Sequence, residues 1–189
     1  MQSGIQDLIQ KLRKGDRKAM EAFYHDQAPL LFGVALRYCS SREEAEDMLH
    51  EALLKIIKGL DTFEPAFEGA FEAWMRRIVV NQCLTSLRKK TDFHLNGHIR
   101  DEDADEFIEV IEDDEWPAIS QEEIIKMINQ LPPGYKMVLN LHVFEKLTHK
   151  EISLQLNISE NTSKSQLSKA RSMMKRMLND RLKYEEIRR

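Results

Sequence analysis

Cysteine, glycine and proline are scarce in this sequence, which has two, seven and five of them in 189 residues. Cys39 and Cys83 lie far apart without CxxC or Cys/His spacing, so the sequence supports neither a disulfide framework nor a zinc site. We expect both cysteines to be buried as small hydrophobic residues. The scarcity of glycine and proline favours helices over a sheet protein rich in turns.

Long apolar runs are missing as well. No stretch approaches the roughly 20 apolar residues that span a membrane, and the N-terminal sequence MQSGIQDLIQKLRKGD lacks the continuous apolar core of a secretory signal. Nor does the sequence contain a glycine-rich phosphate loop, a nucleophile constellation or clustered metal ligands. We therefore expect a cytoplasmic protein without membrane insertion, which binds no metal or other cofactor and is not an enzyme.

The net charge of −4 conceals an asymmetry along the chain. Residues 1–92 are neutral overall, residues 93–118 carry a formal charge of −9, and residues 119–189 carry +5. We interpret these segments as a first helical domain, an acidic linker and a second helical domain. The basic C-terminal segment is the candidate for DNA binding.

The segment from Thr148 to Lys183 predicts two helices joined by a tight turn. Thr148 and Glu151 fit a capping box, in which each side chain satisfies a backbone N–H at the helix start. Asn157 tolerates the left-handed conformation that ends many helices, and Ser159 is a favoured N-cap for the next helix. Together these features form a helix-turn-helix pattern.

The second of these helices is expected to bury Leu167, Ala170 and Met174 as one stripe. Other positions carry hydroxyls, an amide and cations, which suit phosphates and base edges. The residues predicted to contact DNA are Ser159, Thr162, Lys164, Ser165, Gln166, Ser168, Lys169 and Arg171. A merely solvated basic face is the alternative, and the capped turn in front makes it the less favoured one.

A resemblance to region 4 of the extracytoplasmic-function sigma factors of bacterial RNA polymerase is carried by residues 131–171, LPPGYKMVLNLHVFEKLTHKEISLQLNISENTSKSQLSKAR. It implies that the basic helix reads a −35 promoter element. Two positions depart from the family pattern. Ser163 stands where the family usually buries Val or Ile, and Gln166 stands where Arg is frequent.

The front of the chain resembles sigma region 2, beginning with KGDRKAMEAFYHDQAPLLFGVALRYC. Asp16 predicts the N-cap of a second helix, and Pro29 predicts the start of a third. The helix EEAEDMLHEALLKIIKGL that follows resembles the region 2.2 helix that docks on the polymerase clamp. This resemblance implies core-binding roles for Asp47, Leu49, His50 and Glu51, and His50 stands where the family commonly has Gln. A solvated acidic face is the alternative.

A loop from Asp61 to Gly69 and the helix FEAWMRRIVVNQCLTSLRKK then combine aromatic residues with cations. Single-stranded DNA is captured in this way, because bases stack on rings while the backbone follows positive charge. The stretch resembles regions 2.3 and 2.4, which implies that it melts a −10 element and holds an extruded base. The residues assigned to this role are Phe63, Phe67, Trp74, Arg77, Asn81, Arg88, Lys89 and Lys90. The alternatives are Trp74 as a core residue and the final cations as charges that favour a helix C-terminus.

These observations predict an all-α protein of two helical domains. The resemblance identifies it as a sigma factor that binds core RNA polymerase and directs initiation through −10 and −35 elements of promoter DNA. It further implies an anti-sigma factor partner, and we expect a monomer outside these complexes. A dimeric helix-turn-helix regulator would leave the region 2 features unexplained. A second alternative is a sigma mimic that sequesters an anti-sigma factor, for which Ser163 and Gln166 provide the support.

Overall fold

The computed structural model describes residues 2–90 and 119–187, and it describes side chains for residues 4–87 and 119–181. The chain divides into two compact units, Met1–Lys90 and Thr91–Arg189, here called the N-terminal and C-terminal units. The predicted acidic linker, residues 93–118, lies outside the described residues, as do the side chains of Arg88, Lys89 and Lys90. The described residues form helices and no β-strand, as predicted.

Four α-helices and one short 3-10 turn make up the described part of the N-terminal unit. They are α1 (Gln2–Arg13), α2 (Arg17–Leu36), α3 (Arg42–Gly59), the 3-10 turn Leu60–Thr62 and α4 (Ala70–Lys90). Asp16 caps α2 by accepting a hydrogen bond from the Ala19 N–H at 2.9 Å, and Ser41 caps α3 by accepting one from the Glu44 N–H at 3.1 Å. Helices α2, α3 and α4 pack against one another.

The prediction that Pro29 opens a separate helix is wrong, because α2 continues through Pro29 to Leu36. Proline cannot donate to the carbonyl four residues earlier, which belongs to His25. Both His25 and Pro29 are exposed, so the missing hydrogen bond lies on the solvent side of the helix. On the other side, Leu31 and Val34 are buried, and this packing keeps the helix continuous.

The core of the N-terminal unit includes one apolar face of α3. The residues that α3 buries recur at helical spacing: Ala45, Met48, Leu49, Ala52, Leu53 and Ile56. Cys39 and Cys83 are also buried, as expected, although the fold brings these distant residues together. A hydrogen bond with Cys39, together with burial, raises the pKa of the Cys83 thiol. Cys83 therefore stays protonated and unreactive in the core.

The C-terminal unit is built around one long helix. Its described elements are α5 (Gln121–Gln130), α6 (Pro133–Leu139), a π-helical turn (Asn140–Phe144), α7 (His149–Leu156) and α8 (Glu160–Ile187). Helices α5, α6 and α7 all contact α8. The predicted stripe of α8 is buried and extends one turn towards the N-terminus through Ser163, which is fully buried.

An ion pair between Arg181 of α8 and Glu123 of α5 links the two ends of this unit. Glu123 also closes the capping box of α5 with Ser120. The hydrogen bond from Arg181 is the main reason that the pKa of Glu123 falls to about 2. None of the described helices is both long and apolar enough to cross a membrane.

Candidate nucleic-acid interface

The predicted turn between α7 and α8 is present in the structure. The Thr148 N–H donates to the Glu151 carboxylate at 2.8 Å, and the Glu151 N–H donates to the Thr148 hydroxyl at 3.3 Å, which completes the capping box. Asn157 adopts the left-handed conformation with φ 55° and ψ 49°. Ser159 then caps α8 by accepting from the Thr162 N–H at 2.9 Å. The helix-turn-helix prediction is confirmed.

The outer face of α8 carries most of the residues predicted to meet DNA. Ser159, Lys164 and Ser165 are exposed, while Thr162, Ser168, Lys169 and Arg171 are half-buried. Three hydroxyls are already engaged locally. The Ser165 hydroxyl donates to the Thr162 carbonyl at 3.0 Å, and the hydroxyls of Ser159 and Thr162 lie 2.8 Å apart. The cations therefore dominate the chemistry of this face.

Gln166 was predicted to face outward, but it does not. Its amide lies against α6, where a Cβ added to Gly134 would come within 3.0 Å of Nε2. Its Oε1 is buried and has no hydrogen-bond partner among the described residues. The physical reason is its position on the helix, because residue 166 lies three and four residues from the buried Ser163 and Ala170 and therefore shares their face. Its assignment to a base edge is therefore corrected.

A polar cluster that sequence analysis missed lies behind the helix-turn-helix. The rings of His142 and His149 stack with centroids 4.7 Å apart, and His149 Nδ1 is hydrogen-bonded to the Ser163 hydroxyl at 2.9 Å. His142 Nδ1 donates to the Leu147 carbonyl at 2.9 Å. Burial, followed by the charges of His142 and Lys164, lowers the pKa of His149. A serine within an apolar stripe was the signal that a polar partner existed.

In the N-terminal unit, the loop before α4 presents one aromatic ring and hides another. Phe67 is 62% exposed, whereas Phe63 is 8% exposed. The Phe63 ring lies 4.6 Å from Trp74 and 5.4 Å from Phe71 between ring centroids, inside an aromatic cluster. The assignment of Phe63 to a DNA strand is therefore corrected, because its ring belongs to the core.

Six other residues predicted for this site lie on α4, and the side chains of three of them, Trp74, Arg77 and Asn81, are described. Trp74 is half-buried and packs over Gly59, where an added Cβ would lie 2.8 Å from Trp74 Cζ2. Arg77 and Asn81 are exposed one turn apart, so they share a face of the helix. This part of the unit therefore combines an exposed ring, a cation and a carboxamide.

The acidic side of α3 borders a shallow groove between α2 and α3. Asp47, His50 and Glu51 are exposed, but Leu49 is 8% exposed and lines the groove instead of standing on the surface. The groove is mostly apolar and is lined in part by Tyr24, Ala28, Pro29, Phe32 and Leu53. Tyr24 and the neighbouring Leu54 are themselves exposed, at 58% and 52%.

One carboxylate on this side is fixed from the neighbouring helix. The buried side chain of Gln82, on α4, donates to Glu51, and Lys55 donates to the Gln82 carbonyl oxygen. Asp47 takes part in no hydrogen bond or ion pair within the described residues. The two acidic residues therefore differ in their freedom to meet a partner.

Comparison with known proteins agrees with this arrangement. The Sigma-70 region 2 family matches residues 23–93, and the family Sigma-70, region 4 matches residues 121–174, which together exceed half of the chain. By these two regions the chain belongs to the sigma factors of RNA polymerase.

Individual relatives narrow the class. The RNA polymerase sigma-H factor of Pseudomonas aeruginosa is 27% identical over 182 residues, covering 92% of this chain and 93% of that protein. The ECF RNA polymerase sigma factor SigW of Bacillus subtilis is 26% identical over 188 residues, covering 95% and 100%. The chain belongs to the extracytoplasmic-function sigma factors, and it directs promoter-specific initiation of transcription.

Among solved structures, the fold is similar to that of the sigma factor RpoE in its co-crystal structure with the anti-sigma factor NepR from Bartonella quintana. That chain is 22% identical, with a TM-score of 0.52, and the match covers 86% of this chain and 98% of that one. The comparisons do not favour the alternative of a sigma mimic.

Proposed function

We propose that the three surfaces described above divide the work of a sigma factor. The N-terminal unit binds core RNA polymerase through the acidic side of α3 and the adjoining groove, and it opens the −10 element with Phe67 and α4. The C-terminal unit reads the −35 element with α8. The observation that carries the proposal is the capped turn before α8, together with the cations that α8 keeps outside its buried stripe.

Core binding is supported by the combination of charge and apolar surface beside the groove. Asp47 and His50 are exposed next to Leu54 and Tyr24, which suits a partner that presents cations around an apolar contact. Leu49 contributes as part of the groove floor. Glu51 contributes less directly, since Gln82 already holds its carboxylate.

The test of core binding is charge reversal at Asp47. Asp47→Lys should weaken the affinity for core polymerase on the order of tenfold, most strongly at low salt, where charge pairs are least screened. Glu51→Lys is a poorer probe because it also disrupts the contact with Gln82. The control is Asp7→Lys, which reverses an exposed carboxylate on α1 whose exposed ion pair with Lys11 contributes little to stability. If Asp47→Lys and Asp7→Lys bind core polymerase with equal affinity at low salt, the acidic side of α3 is not the core-binding surface.

Opening of the −10 element is supported by the exposed Phe67 ring in the loop before α4 and by the exposed Arg77 and Asn81 on α4 itself. Asn81 is the cleaner probe because it is exposed, whereas loss of the half-buried Trp74 would also disturb the core. Asn81→Ala should fold normally and alter the −10 preference of the holoenzyme. If preference in a promoter-library selection stays unchanged, the proposed base pocket is wrong.

Recognition of the −35 element is supported by the cations and hydroxyls that α8 keeps at its surface. We assign base contacts to Lys164, Ser165 and Ser168, and phosphate contacts to Lys169 and Arg171, with Ser159 and Thr162 at the helix N-terminus. Lys169→Ala should weaken binding to all sequences and reduce the salt slope by about one. Lys164→Ala should instead relax preference at one or two −35 positions.

Gln166→Ala serves as the matched control for this helix. Because the Gln166 amide packs on Gly134, we expect the substitution to alter the α6–α8 contact and to leave base preference unchanged. A relaxed −35 preference for Gln166→Ala would contradict the placement of this amide outside the base contacts.

The partner class also includes an anti-sigma factor. The solved relative from Bartonella quintana was crystallised with the anti-sigma factor NepR, and this supports a similar partner here. Such a partner would cover either the groove between α2 and α3 or the cationic face of α8. Competition of the anti-sigma factor with core polymerase would indicate the groove, and competition with promoter DNA would indicate the face of α8.

A further inference from the structure

Arg13, the last residue of α1, is joined to a distant part of the N-terminal unit. Its Nε donates to the Leu60 carbonyl at 2.8 Å, and its Nη2 donates to the Phe63 carbonyl at 2.7 Å. The first acceptor lies in the 3-10 turn, and the second opens the loop that carries Phe67. A planar guanidinium suits this task, because its fixed donors can meet two acceptors at once.

The start of the loop is thereby held from two directions. The Phe63 ring lies in the aromatic cluster with Phe71 and Trp74, while the Phe63 carbonyl is bonded to Arg13. The Phe63 N–H also donates to the Leu60 carbonyl at 3.2 Å, so both backbone groups of Phe63 are engaged. Beyond this point residues 64–68 are exposed, and Phe67 extends from them towards solvent.

We infer that Arg13 is a positioning residue for promoter opening, because its fork on the Leu60 and Phe63 carbonyls sets where the Phe67 ring is presented to the −10 strand. The inference rests on the proposed role of Phe67. A loop whose entry is fixed loses less conformational entropy when it captures a base, so the fork strengthens capture without touching DNA.

The fork is separable from the packing that holds α1. Ile9 and Leu12 are buried at 3% and 2% exposure, and they dock α1 on the unit independently of the guanidinium. Arg13 itself is exposed as a residue. Removing its head group should therefore leave α1 in place and release the loop.

The experiment uses holoenzyme assembled from core polymerase and the full chain. The probe is fluorescent single-stranded DNA carrying the −10 sequence of a promoter that the wild-type holoenzyme transcribes. Arg13→Met keeps the apolar stem and removes the fork, so it should weaken binding of this probe on the order of tenfold. Arg13→Lys, which can serve one carbonyl, should give an intermediate affinity.

Arg17→Met is the matched control. Arg17 has a 91% exposed side chain and pairs with Glu21 on its own helix, so its loss should leave probe binding unchanged. Core affinity should match the wild type in all three variants, and the melting temperature should fall modestly in the two Arg13 variants, which lose hydrogen bonds, but not in Arg17→Met. If probe affinity and core affinity fall together in both Arg13 variants, Arg13 is a structural residue and the inference is overturned.

A double-mutant cycle with Phe67→Ala completes the test. If Arg13 acts through Phe67, Arg13→Met should weaken probe binding little further in the Phe67→Ala background. Additive losses, or wild-type affinity in Arg13→Met, would overturn the inference while leaving the role of Phe67 intact. A Phe67→Ala holoenzyme that binds the probe as tightly as the wild type would instead overturn the proposed −10 function itself.

Discussion

Lys146 holds an uncommon backbone conformation immediately before the helix-turn-helix. Its φ is 58°, in the left-handed region that costs a residue with a side chain roughly 1–2 kcal/mol. The turn is closed next to it, where the Leu147 N–H donates to the Leu141 carbonyl at 3.0 Å. The chain therefore accepts local strain in order to pass from the π-helical turn into α7.

Replacement of Lys146 by glycine should relieve that strain. We expect Lys146→Gly to raise the free energy of unfolding by about 0.5–1 kcal/mol, after the greater flexibility of glycine in the unfolded chain is subtracted. Denaturant unfolding followed by circular dichroism measures this change. Lys150→Gly is the control, because Lys150 lies within α7 and glycine there should destabilise by about 1 kcal/mol. A destabilised Lys146→Gly would contradict the assigned strain.

The position of the Trp74 ring requires a glycine at residue 59. A Cβ there would lie 2.8 Å from Trp74 Cζ2, so the ring would have to move. Gly59→Ala should therefore destabilise the protein by about 1–3 kcal/mol and change the tryptophan fluorescence.

The control for this substitution is another helical glycine. Within the described residues, a Cβ added to Gly33 meets no atom within 4 Å, so Gly33→Ala should stabilise α2 by about 0.5–1 kcal/mol. If the two variants have the same free energy of unfolding, the close contact between Gly59 and Trp74 is not a constraint on the fold.

At the scale of elements, the histidine cluster makes the C-terminal unit sensitive to pH. The pKa of His149 lies below the ordinary value of 6.5, chiefly through burial, and the positive groups that face it are His142, Lys164 and Arg171, opposed by Glu160. Since the fold disfavours the protonated ring, the unfolded state takes up the proton first. Stability is full above pH 6.5 and declines as the pH falls below that value.

This dependence can be measured by comparing unfolding at pH values of roughly 7.5 and 5.5, which bracket the ordinary histidine pKa. The wild type should lose more stability between these values than His149→Gln, which cannot titrate. His25→Gln, altered at an exposed position on α2, should behave like the wild type. Equal losses in the wild type and His149→Gln would show that the cluster does not couple protonation to folding.

Helix ends were more predictable than helix faces. The N-caps at Asp16 and Thr148 and the left-handed Asn157 follow from chemistry within a few residues, and the structure has each of them. The predicted helix start at Pro29 is wrong, because α2 is kept continuous by packing that its local sequence does not specify. The predicted outward orientation of Gln166 is wrong, because the orientation of a half-buried side chain depends on the helix packed against it, here at Gly134.

The candidate surfaces also divide into features set by nearby residues and features set by packing between helices. Exposure of Asp47, Phe67 and Lys164 followed from helical periodicity and loop position. The burial of Phe63 and the fork of Arg13 did not, since both depend on residues about 10 to 50 positions away in sequence. Contacts of this kind become visible only when the helices are assembled.

At the scale of the whole molecule, the small net charge of −4 is the sum of acidic and basic segments that nearly cancel. The acidic side of α3 and the cationic face of α8 belong to different units, and each suits a different partner. Substitutions in the two units should therefore fail in different ways. Asp47→Lys should lower transcription from all promoters, whereas Lys164→Ala should change which promoters are used.

Run-off transcription can show whether this chain directs core polymerase to specific promoters. Core polymerase would be mixed with a genomic fragment library, with and without the full chain, and transcript 5′ ends would be mapped. The chain should produce new start sites, each a fixed distance downstream of one shared pair of −35 and −10 elements. If adding the chain produces no promoter-specific transcript, the assignment of its surfaces to polymerase and promoter DNA is contradicted.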